Sequence, residues 1–533
     1  MKPTITFLFI FCATILLGQE WASVFQWGNI GSETCNGLTI SADGSVFLAG
    51  TFQNSINLGG QVWQSRGGED IFLAKTNANG GIEWAKRAGS ILSDAVAAIA
   101  LDQNDHLVCA GSFWQAADFD DFTLFSSTNS KAIFIVKYNA GGQVLWAKSI
   151  SGPGLKDTND IACDSEGNIF LTGFFADSLE VLDTTLFAAG ETDLFVTKFS
   201  PNGALIWAMR QGQGGDTRGI AIDLNSEDDV IIAGYFNDTT LIADTILTAN
   251  TADQDLFLTR ISKDGQPLWA KKAGGVFDQD LTALVVGSND EVYLIGYLVG
   301  VMRLSDQLSI QSTTGNPDFF VLKYDANGNP MKARALGGPL TQQAMGATLF
   351  DGSLAITGFY QGDMSFDGYN FSAGNHFNSF VAVFDSNLVC QWTKNIASNA
   401  SAFAMQIAAT KNQETWVGGS FIGQATFDNQ TINASSFDVF LAKASHSPTP
   451  TTEATSKDER FLVFPNPAKD FALIQTELVD YQVELLNSKG QVIFIGQNTK
   501  SIPLENLPEG MYLVKFETQS SIQTQKLSII KGK

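Results

Sequence analysis

The chain has 533 residues, 44% of them hydrophobic and 16% charged, which is enough for more than one domain with a sizeable core. Its formal net charge of −23 argues against nucleic acid and anionic membranes as partners, because both are negatively charged.

Residues 1–18 are predicted to be a signal peptide. Lys2 supplies the short positive start, the apolar run ITFLFIFCATILL follows, and Gly18 is a small residue near a plausible cleavage point. The apolar run is short for a transmembrane helix, and no other stretch is long and apolar enough. We therefore expect a secreted or outer-cell-surface protein with no membrane span in its mature form.

Residues 20–444 are predicted to form seven repeats of about 61 residues. A Gly-x-Phe-like corner recurs with its glycine at Gly50, Gly111, Gly173, Gly234, Gly296, Gly358 and Gly419. A phenylalanine keeps the same period at Phe72, Phe134, Phe195, Phe257, Phe320, Phe380 and Phe440. Two positions that share one period indicate a repeat architecture.

Each repeat is predicted to contain four antiparallel strands. In LTISADGSVFLAG, apolar and polar residues alternate on both sides of Asp43-Gly44, which is typical of a hairpin. A variable insert follows, interpreted as a small hairpin or long loop. The third strand (DIFLAK in the first repeat) and the fourth (IEWAKRAG) are joined at Asn79-Gly80, where a two-residue type I′ turn is expected.

The predicted fold is an all-β, seven-bladed β-propeller, because four-stranded sheets with apolar faces must stack on their neighbours. The seventh third-strand copy, Asp438 to Lys443, has no Trp-containing strand after it. The segment EWASVFQWG, which carries Trp21, precedes the first repeat without a repeat of its own. The N-terminal strand is therefore predicted to close the propeller by completing its last blade.

Residues 445–460 are rich in Pro, Thr and Ser and are predicted to be a linker. Residues 461–533 then show alternating strands separated by turns at Lys489-Gly490 and Glu509-Gly510. This pattern predicts a small antiparallel β-sandwich.

The C-terminal motifs resemble a known family. The order Phe464-Pro465-Asn466-Pro467-Ala468, LLNSKGQV, LPEGMYLVKF and KLSIIKGK resembles the type A C-terminal sorting domain of the type IX secretion system. The residues that carry this resemblance are Pro465, Asn466, Pro467, Gly490, Gly510, Tyr512 and Lys526. It implies a source in the Bacteroidetes, passage across the outer membrane, and the secretion machinery as a partner of residues 461–533. The repeats are similar to SBBP-type repeat propellers, a resemblance that implies fold more than activity.

No catalytic, cofactor-binding or metal-binding residue is assigned from the sequence, and calcium is the one cofactor left open. His106, His376 and His446 are far apart, and no HExxH, GxSxG or Walker motif is present. The four cysteines of the mature chain lack CxxC spacing, so free thiols or one chance pair are favoured over a metal site: Cys35, Cys109, Cys163 and Cys390.

Two charged positions recur with the repeat. An aspartate heads the third strand at Asp70, Asp193, Asp255, Asp318 and Asp438, with Asn378 once. A structural turn, with the carboxylate accepting backbone N–H groups, explains the repetition better than calcium binding or catalysis. A base ends the same strand at Lys75, Lys137, Lys198, Arg260, Lys323 and Lys443. Snorkelling side chains on blade edges, which can pair with nearby acids, are favoured for these bases over recognition of an acidic glycan.

Short Asp-Ser/Thr-apolar segments in two inserts resemble the O-glycosylation acceptor of Bacteroidetes. They predict glycans on Ser178, Thr184, Thr239 and Thr245.

The predicted function is a non-catalytic binding or adhesion module whose variable inserts contact a polysaccharide or a surface protein. The alternative is an extracellular carbohydrate-active enzyme, a glycoside hydrolase or lyase, which would need a polar cluster that breaks the repeat. Repeats five and six depart most from the pattern, with Lys332 in place of Trp, but drift is the simpler explanation.

Overall fold

The computed structural model describes residues 19–127, 130–250, 254–277, 279–410, 414–446, 462–464, 468–476, 480–487, 491–517 and 522–529. The predicted signal peptide, most of the linker, Pro465, Asn466, Pro467 and Gly490 lie outside these ranges. Every regular element within them is a β-strand, which confirms the all-β prediction. The chain divides into two compact units, here called the repeat domain (Met1–Pro448) and the C-terminal domain (Thr449–Lys533).

In repeats 1, 6 and 7 the insert continues strands two and three of the repeat as one long hairpin. Repeat 1 contains β2 (Glu33–Ile40), β3 (Val46–Leu58), β4 (Gln61–Thr76) and β5 (Ile82–Ala88). Repeat 6 contains β30 (Gln342–Phe350), β31 (Ser353–Phe366), β32 (Tyr369–Phe384) and β33 (Cys390–Ser398). Repeat 7 contains β34 (Ser401–Ala409), β35 (Thr415–Phe427) and β36 (Gln430–His446), and β1 (Gln19–Trp27) precedes all seven repeats.

In repeats 2 to 5 the insert is a separate two-stranded hairpin. Repeat 2 contains β6 (Ala95–Leu101), β7 (Leu107–Trp114), β8 (Ala116–Phe119), β9 (Phe122–Phe125), β10 (Lys131–Tyr138) and β11 (Val144–Ser151). Repeat 3 contains β12 (Lys156–Cys163), β13 (Ile169–Phe175), β14 (Ser178–Val181), β15 (Thr184–Phe187), β16 (Asp193–Phe199) and β17 (Leu205–Gln211). Repeat 4 contains β18 (Thr217–Leu224), β19 (Val230–Phe236), β20 (Thr239–Ile242), β21 (Thr245–Thr248), β22 (Asp255–Ile261) and β23 (Pro267–Val276). Repeat 5 contains β24 (Gln279–Val286), β25 (Val292–Leu298), β26 (Val301–Arg303), β27 (Ser309–Gln311), β28 (Asp318–Tyr324) and β29 (Pro330–Leu336).

The turns between the third and fourth strands differ from the type I′ expectation. At Asn79-Gly80 only the glycine has positive φ, at 83°. The Gly80 N–H donates to the Asn77 carbonyl, and the Asn77 side chain accepts the N–H groups of Asn79 and Gly81. A side-chain-capped turn ending in a left-handed glycine therefore replaces the two-residue turn, and Asn139 caps its own turn in the same way.

The recurring corner glycine is required by a close approach of two strands. In every repeat the first strand bulges opposite this glycine, for example between Thr158 and Asp160 opposite Gly173. A Cβ atom on Gly173 would overlap the Asp157 carbonyl oxygen and lie 2.8 Å from the Phe195 ring. The periodic glycine and phenylalanine are thus one packing unit, because the ring occupies the space that a side chain on the glycine would need.

Consecutive repeats share their hydrophobic cores. Seven clusters of buried side chains each draw on two neighbouring repeats, and one of them joins repeat 7 to repeat 1. The first strands contact one another in the order β2, β6, β12, β18, β24, β30 and β34, and β34 in turn contacts β2. Each sheet therefore buries its faces against the sheets before and after it in the chain.

An aromatic ring of one repeat covers the turn glycine of the next. A Cβ atom on Gly142 would lie 2.9 Å from the Trp84 ring, and Trp84 Nε1 donates to the Ala140 carbonyl at 3.0 Å. Repeat 5 departs from this arrangement: Lys332 donates to the Asn387 carbonyl at 3.2 Å, and Leu388, with φ of 60°, stands where other turns have glycine. Leu388 is buried, so its side chain occupies the space of the missing ring.

The N-terminal strand β1 pairs antiparallel with β36 of repeat 7 along its length, from Gln19 opposite His446 to Trp27 opposite Val439. Phe25, rather than Trp21, covers the turn glycine Gly80 of repeat 1. Trp21 is buried on the other side of the strand, with its ring 5.4 Å from that of Phe427 and its Nε1 donating to the Asn395 carbonyl.

The C-terminal domain consists of two antiparallel sheets in its described residues. Their buried face is apolar and includes Val483, Leu485, Val514 and Phe516. The first sheet contains β37 (Leu462–Phe464), β38 (Phe471–Gln475) and β41 (Ser501–Pro503). The second has the order β40 (Val492–Gln497), β39 (Gln482–Leu486), β42 (Gly510–Glu517) and β43 (Ile522–Ile529).

Candidate functional site

The inserts and the connections between repeats lie at one end of the repeats, here called the insert face. Each connection runs from the last strand of one repeat to the first strand of the next and contacts the next insert. Ser55 donates its N–H to the Ile30 carbonyl at 3.0 Å, and Ala176 donates to the Leu155 carbonyl at 2.7 Å. The opposite end carries the two tight turns of each repeat and is called the turn face.

Large apolar side chains are exposed on the insert face at equivalent places. Five of the seven connections present one: Ile30 (68% exposed), Ile91 (74%), Leu155 (57%), Phe277 (58%) and Leu340 (37%). The inserts add Trp114, Phe125, Phe187 and Ile246, which are also exposed. Their recurrence at equivalent connections makes them the candidate binding residues of this face.

The cavities of the insert face are open, and their walls are mixed or polar. One of about 590 Å³ is lined by Asn399, Gly423, Gln424, Asn433, Ala434 and Ser435. Three others, of about 370, 460 and 510 Å³, contain one ionisable side chain each: Asp438, Arg334 and Glu69 respectively. None of these four described cavities brings together two carboxyl groups, the pair on which most glycoside hydrolases rely.

Four of the five recurrent aspartates hold the turn that ends their insert, as the turn interpretation predicts, whereas Asp438 accepts a hydrogen bond from Gln26 Nε2 at 2.7 Å. Asp70, Asp193 and Asp255 accept the backbone N–H groups of Arg66 (3.0 Å), Ala189 (2.7 Å) and Asn250 (2.9 Å). Asp318 accepts that of Thr313 in the same way. These side chains are almost completely buried, and burial raises the pKa of Asp70 above its usual value.

The recurrent bases are paired on the turn face, as the sequence interpretation favoured. Lys137 lies 2.8 Å from Asp102, and Lys323 lies 3.2 Å from Glu291. The remaining pairs are Lys75 with Glu83, Lys198 with Asp164, Arg260 with Asp229, and Lys443 with Glu414. Several bases also donate to a carbonyl of the next repeat, as Lys137 does to Pro201 at 3.2 Å. The arrangement connects repeats rather than forming an anion site.

The histidines and cysteines do not come together. Nδ1 of His106 lies 3.0 Å from the Asp102 carboxylate, whereas His376 is exposed in an insert. The four cysteines are free, and burial raises the pKa of the Cys35 and Cys390 thiols to about 12. Within the described residues no group of three His, Cys, Asp or Glu side chains could hold a metal ion.

The four residues predicted to carry glycans lie in the insert hairpins of repeats 3 and 4. Thr239 is exposed, and Ser178, Thr184 and Thr245 are partly exposed. Each follows an aspartate, and Asp177, Asp238 and Asp244 have positive φ. All four are therefore on the insert face.

The exposed apolar connections are the feature that sequence reasoning missed. A signal for them exists, because each comes two or three positions after a glycine at or near the end of the preceding strand. In Gly28-Asn29-Ile30 and Gly89-Ser90-Ile91 the apolar residue comes two positions after the glycine, and in the connections that end at Leu155, Phe277 and Leu340 it comes three positions after.

Three residues of the C-terminal motifs lie within described strands. Gly510 begins β42, the Tyr512 hydroxyl donates to the Pro508 carbonyl at 2.9 Å, and Lys526 pairs with Leu513 across β42 and β43. Residues 462–531 match the protein family described as the secretion system C-terminal sorting domain. The C-terminal domain is a sorting domain. The sorting domain indicates export by type IX secretion to the cell surface or extracellular space, and hence contact with that machinery.

Two curated proteins resemble parts of the chain. An uncharacterised WD repeat-containing protein of Acanthamoeba polyphaga mimivirus is 27% identical over 468 residues, which cover 70% of this chain and 33% of that protein. The regulatory protein FlaEY of Caulobacter vibrioides is 27% identical over 110 residues, or 20% of this chain and 12% of that protein. The chain thus spans a third or less of the length of these relatives.

Among solved structures, a gluconolactonase of Xanthomonas campestris aligns with 61% of this chain and 83% of its own, at 13% identity and a TM-score of 0.31. The extracellular domain of a two-component system of B. thetaiotaomicron aligns with 93% of this chain and 75% of its own, at 12% identity and a TM-score of 0.18. At these scores neither match supports a functional argument.

In the described part of the chain, no helix has the length and apolar character that a membrane crossing requires.

Proposed function

We propose that the repeat domain is a seven-bladed β-propeller closed by its N-terminal strand. Three observations support this: the cyclic contacts of the seven first strands, the pairing of β1 with β36, and the apolar cluster shared by repeats 7 and 1. Lys443 of repeat 7 also approaches the Ala78 carbonyl of repeat 1 at 3.5 Å. Lys198 makes the same contact to the Lys263 carbonyl of the following repeat.

Closure is tested by Trp21→Ala, with Trp114→Ala as the matched control. Trp21 is buried against repeat 7, whereas Trp114 is 42% exposed in an insert. We expect Trp21→Ala to lower the free energy of unfolding by about 3–5 kcal/mol, and Trp114→Ala to change it by about 0.5 kcal/mol or less. Urea unfolding measures both variants, and equal effects would argue against a closing role for β1.

We propose that the propeller is a non-catalytic binding or adhesion module that the sorting domain delivers outside the cell. The observation that carries this proposal is the set of exposed apolar side chains at equivalent connections of the insert face. Five exposed apolar side chains at one recurring site are unfavourable in water, and their retention is explained by a partner that covers them. A polysaccharide or a surface protein is the ligand class proposed.

The test uses the mature chain and a panel of immobilised polysaccharides, with retained protein and newly formed reducing ends measured in the same tubes. Retention without new reducing ends is expected. New reducing ends would overturn the proposal in favour of a carbohydrate-active enzyme. If neither signal appears, polysaccharide is removed from the proposed ligands, and a surface protein is tested next.

The remaining sequence expectations complete the proposal. Residues 1–18 are proposed to be a signal peptide, the source to be a member of the Bacteroidetes, and the repeats to be of the SBBP type. Ser178, Thr184, Thr239 and Thr245 are proposed to carry O-glycans. An intact mass equal to that of the bare processed chain would remove the glycan proposal.

A further inference from the structure

Equivalent polar residues meet at each junction between repeats. Each junction contains two positions. The first is the recurrent aspartate position of one repeat, and the second is the residue at, or directly next to, the start of the first strand of the next repeat. At the junction of repeats 1 and 2, a Cβ atom on Gly89 would lie 3.1 Å from Asp70 Oδ1 and 2.9 Å from Asp94 Oδ2. The two oxygens are therefore no more than about 6 Å apart. At the junction of repeats 5 and 6, Gln342 accepts the Gly338 N–H at 2.8 Å beside Asp318.

Charge at the seven junctions follows a pattern with one exception. In three junctions the aspartate has a neutral polar neighbour: Asp193 with Thr217, Asp255 with Gln279, and Asp318 with Gln342. In two others no aspartate is present, and the pairs are Ala132 with Lys156 and Asn378 with Ala402. Asp70 and Asp94 form a double-acid junction in which burial raises the pKa of both carboxyl groups, that of Asp94 to about 6. At this junction Arg66 and Arg87 act to lower the pKa of Asp70 and so partly offset its burial.

The exception is Glu33 with Asp438, which join repeat 1 to repeat 7. Glu33 is completely buried at the start of β2, and neither of its carboxylate oxygens has a hydrogen-bond partner in the part of the chain that the structure describes. Asp438 of β36 is 8% exposed and accepts a hydrogen bond from Gln26 Nε2 of β1 at 2.7 Å. Among the described residues no basic side chain lowers the pKa of either carboxyl group.

Two carboxylates buried without a cation repel each other and lose their hydration, so the ionised pair is unfavourable. The neutral glutamine at the equivalent place in β24 and β30 shows that the fold does not require a charge there. We propose that one proton is held on Glu33 beside Asp438 and makes the junction between the first and last repeats pH-sensitive, so that the junction weakens when that proton is lost. This inference concerns the junction and is independent of what the insert face binds.

The direction of the pH effect follows from the state of Glu33. Burial first, and Asp438 second, raise the pKa of Glu33 from 4.5 to about 8. A raised carboxyl pKa in the folded protein means that stability is complete below about pH 4.5 and is lost as the pH rises towards about 8. A cavity of about 370 Å³ lined by Gln26, Gly28, Asn57 and Asp438 borders the Asp438 side of this junction, whereas Glu33 does not line it.

The test compares the thermal midpoint of the mature wild type and Glu33→Gln between pH 5 and pH 9. Glutamine keeps the shape of the side chain and removes the titrating group. The wild-type midpoint is expected to fall by about 5 °C more than that of the variant over this range. Because Asp160 and Asp223 are also buried acids with raised pKa values, the infrared test is a difference spectrum. The wild type minus Glu33→Gln at pH 6 is expected to show one additional C=O band of a buried carboxylic acid.

Gln342→Glu is the converse variant, because it places a second acid beside Asp318 at the junction of repeats 5 and 6. At alkaline pH the thermal midpoint of Gln342→Glu is expected to fall below that of the wild type by a similar amount. Parallel profiles for wild type and Glu33→Gln would overturn the proposal, as would a Glu33→Gln variant less stable than the wild type at pH 8. If Glu33→Gln does not fold, an unchanged profile of Gln342→Glu would overturn it.

Discussion

The turn face and the insert face use recurring residues for opposite purposes. On the turn face each recurring base contacts an acid, and rings such as Trp84 and Trp146 contact the turn of the next repeat. On the insert face the residues that recur at the connections, such as Ile91 and Leu155, are exposed. Periodicity alone therefore does not separate residues that hold the fold from residues that are exposed to solvent.

The largest effect is expected from breaking a buried ion pair on the turn face. Lys137 and Asp102 are each 2% exposed, so Lys137→Met leaves a buried carboxylate without its cation. We expect the free energy of unfolding to fall by about 3–5 kcal/mol. The matched control is Lys75→Met, whose partner Glu83 is 42% exposed, with an expected loss of about 1 kcal/mol or less.

This comparison also has a pH dependence. Burial acts to raise the pKa of Asp102, but hydrogen bonds from Lys137 and from the backbone of His106 and Asn104 outweigh it and lower that pKa. The stability that this pair supplies is therefore present at neutral pH and is lost as the pH falls below the usual aspartate range. Urea unfolding at pH 7 and pH 3 measures it, and equal losses for Lys137→Met and Lys75→Met would contradict the distinction.

A smaller but still large effect is expected at the corner glycines. Gly173→Ala places a methyl group against the Asp157 carbonyl and the buried Phe195 ring, and neither can move freely. The expected loss is about 3 kcal/mol. Gly315→Ala is the control, because no atom lies within 4 Å of its Cβ position, and a change of about 0.5 kcal/mol or less is expected. If Gly173→Ala loses no more free energy of unfolding than Gly315→Ala, the bulge relaxes around the added methyl group and the prediction is wrong.

Repeat 5 offers a coupled test of intermediate size. In place of the Trp and Gly of other repeats, Lys332 donates to the Asn387 carbonyl and Leu388 fills the space of the ring. Lys332→Trp alone is expected to destabilise the domain by about 1–3 kcal/mol through overpacking. Adding Leu388→Gly is expected to recover most of this loss, because it restores the aromatic–glycine pair. Thermal unfolding of both single variants and the double variant measures the coupling, and simple additivity would contradict it.

The sequence predicts the period, the four strands and the turn role of the recurrent aspartates, because each depends on local pattern. Gly173 and Phe195 are identified by recurrence alone, although the bulge that requires the glycine is visible only in the structure. The coupling of Lys332 with Leu388 could not be predicted, since the two residues lie 56 positions apart and meet through the stacking of repeats. For the same reason the junction between Glu33 and Asp438 could not be predicted, because it forms only where repeat 7 packs against repeat 1.

The central claim is that the insert face binds the partner, and two matched triple variants test it. Ile91→Ser, Leu155→Ser and Phe277→Ser remove exposed apolar groups from the insert face. Leu145→Ser, Ile206→Ser and Leu268→Ser remove groups of similar exposure from the fourth strands. Both triples should leave the thermal midpoint nearly unchanged, because the side chains are exposed.

The decisive measurement is the affinity of both triples for whichever polysaccharide or surface protein retains the wild type. The account predicts at least about tenfold weaker binding for the insert-face triple and wild-type affinity for the fourth-strand triple. Equal binding by the two triples, or loss confined to the fourth-strand triple, would contradict the claim.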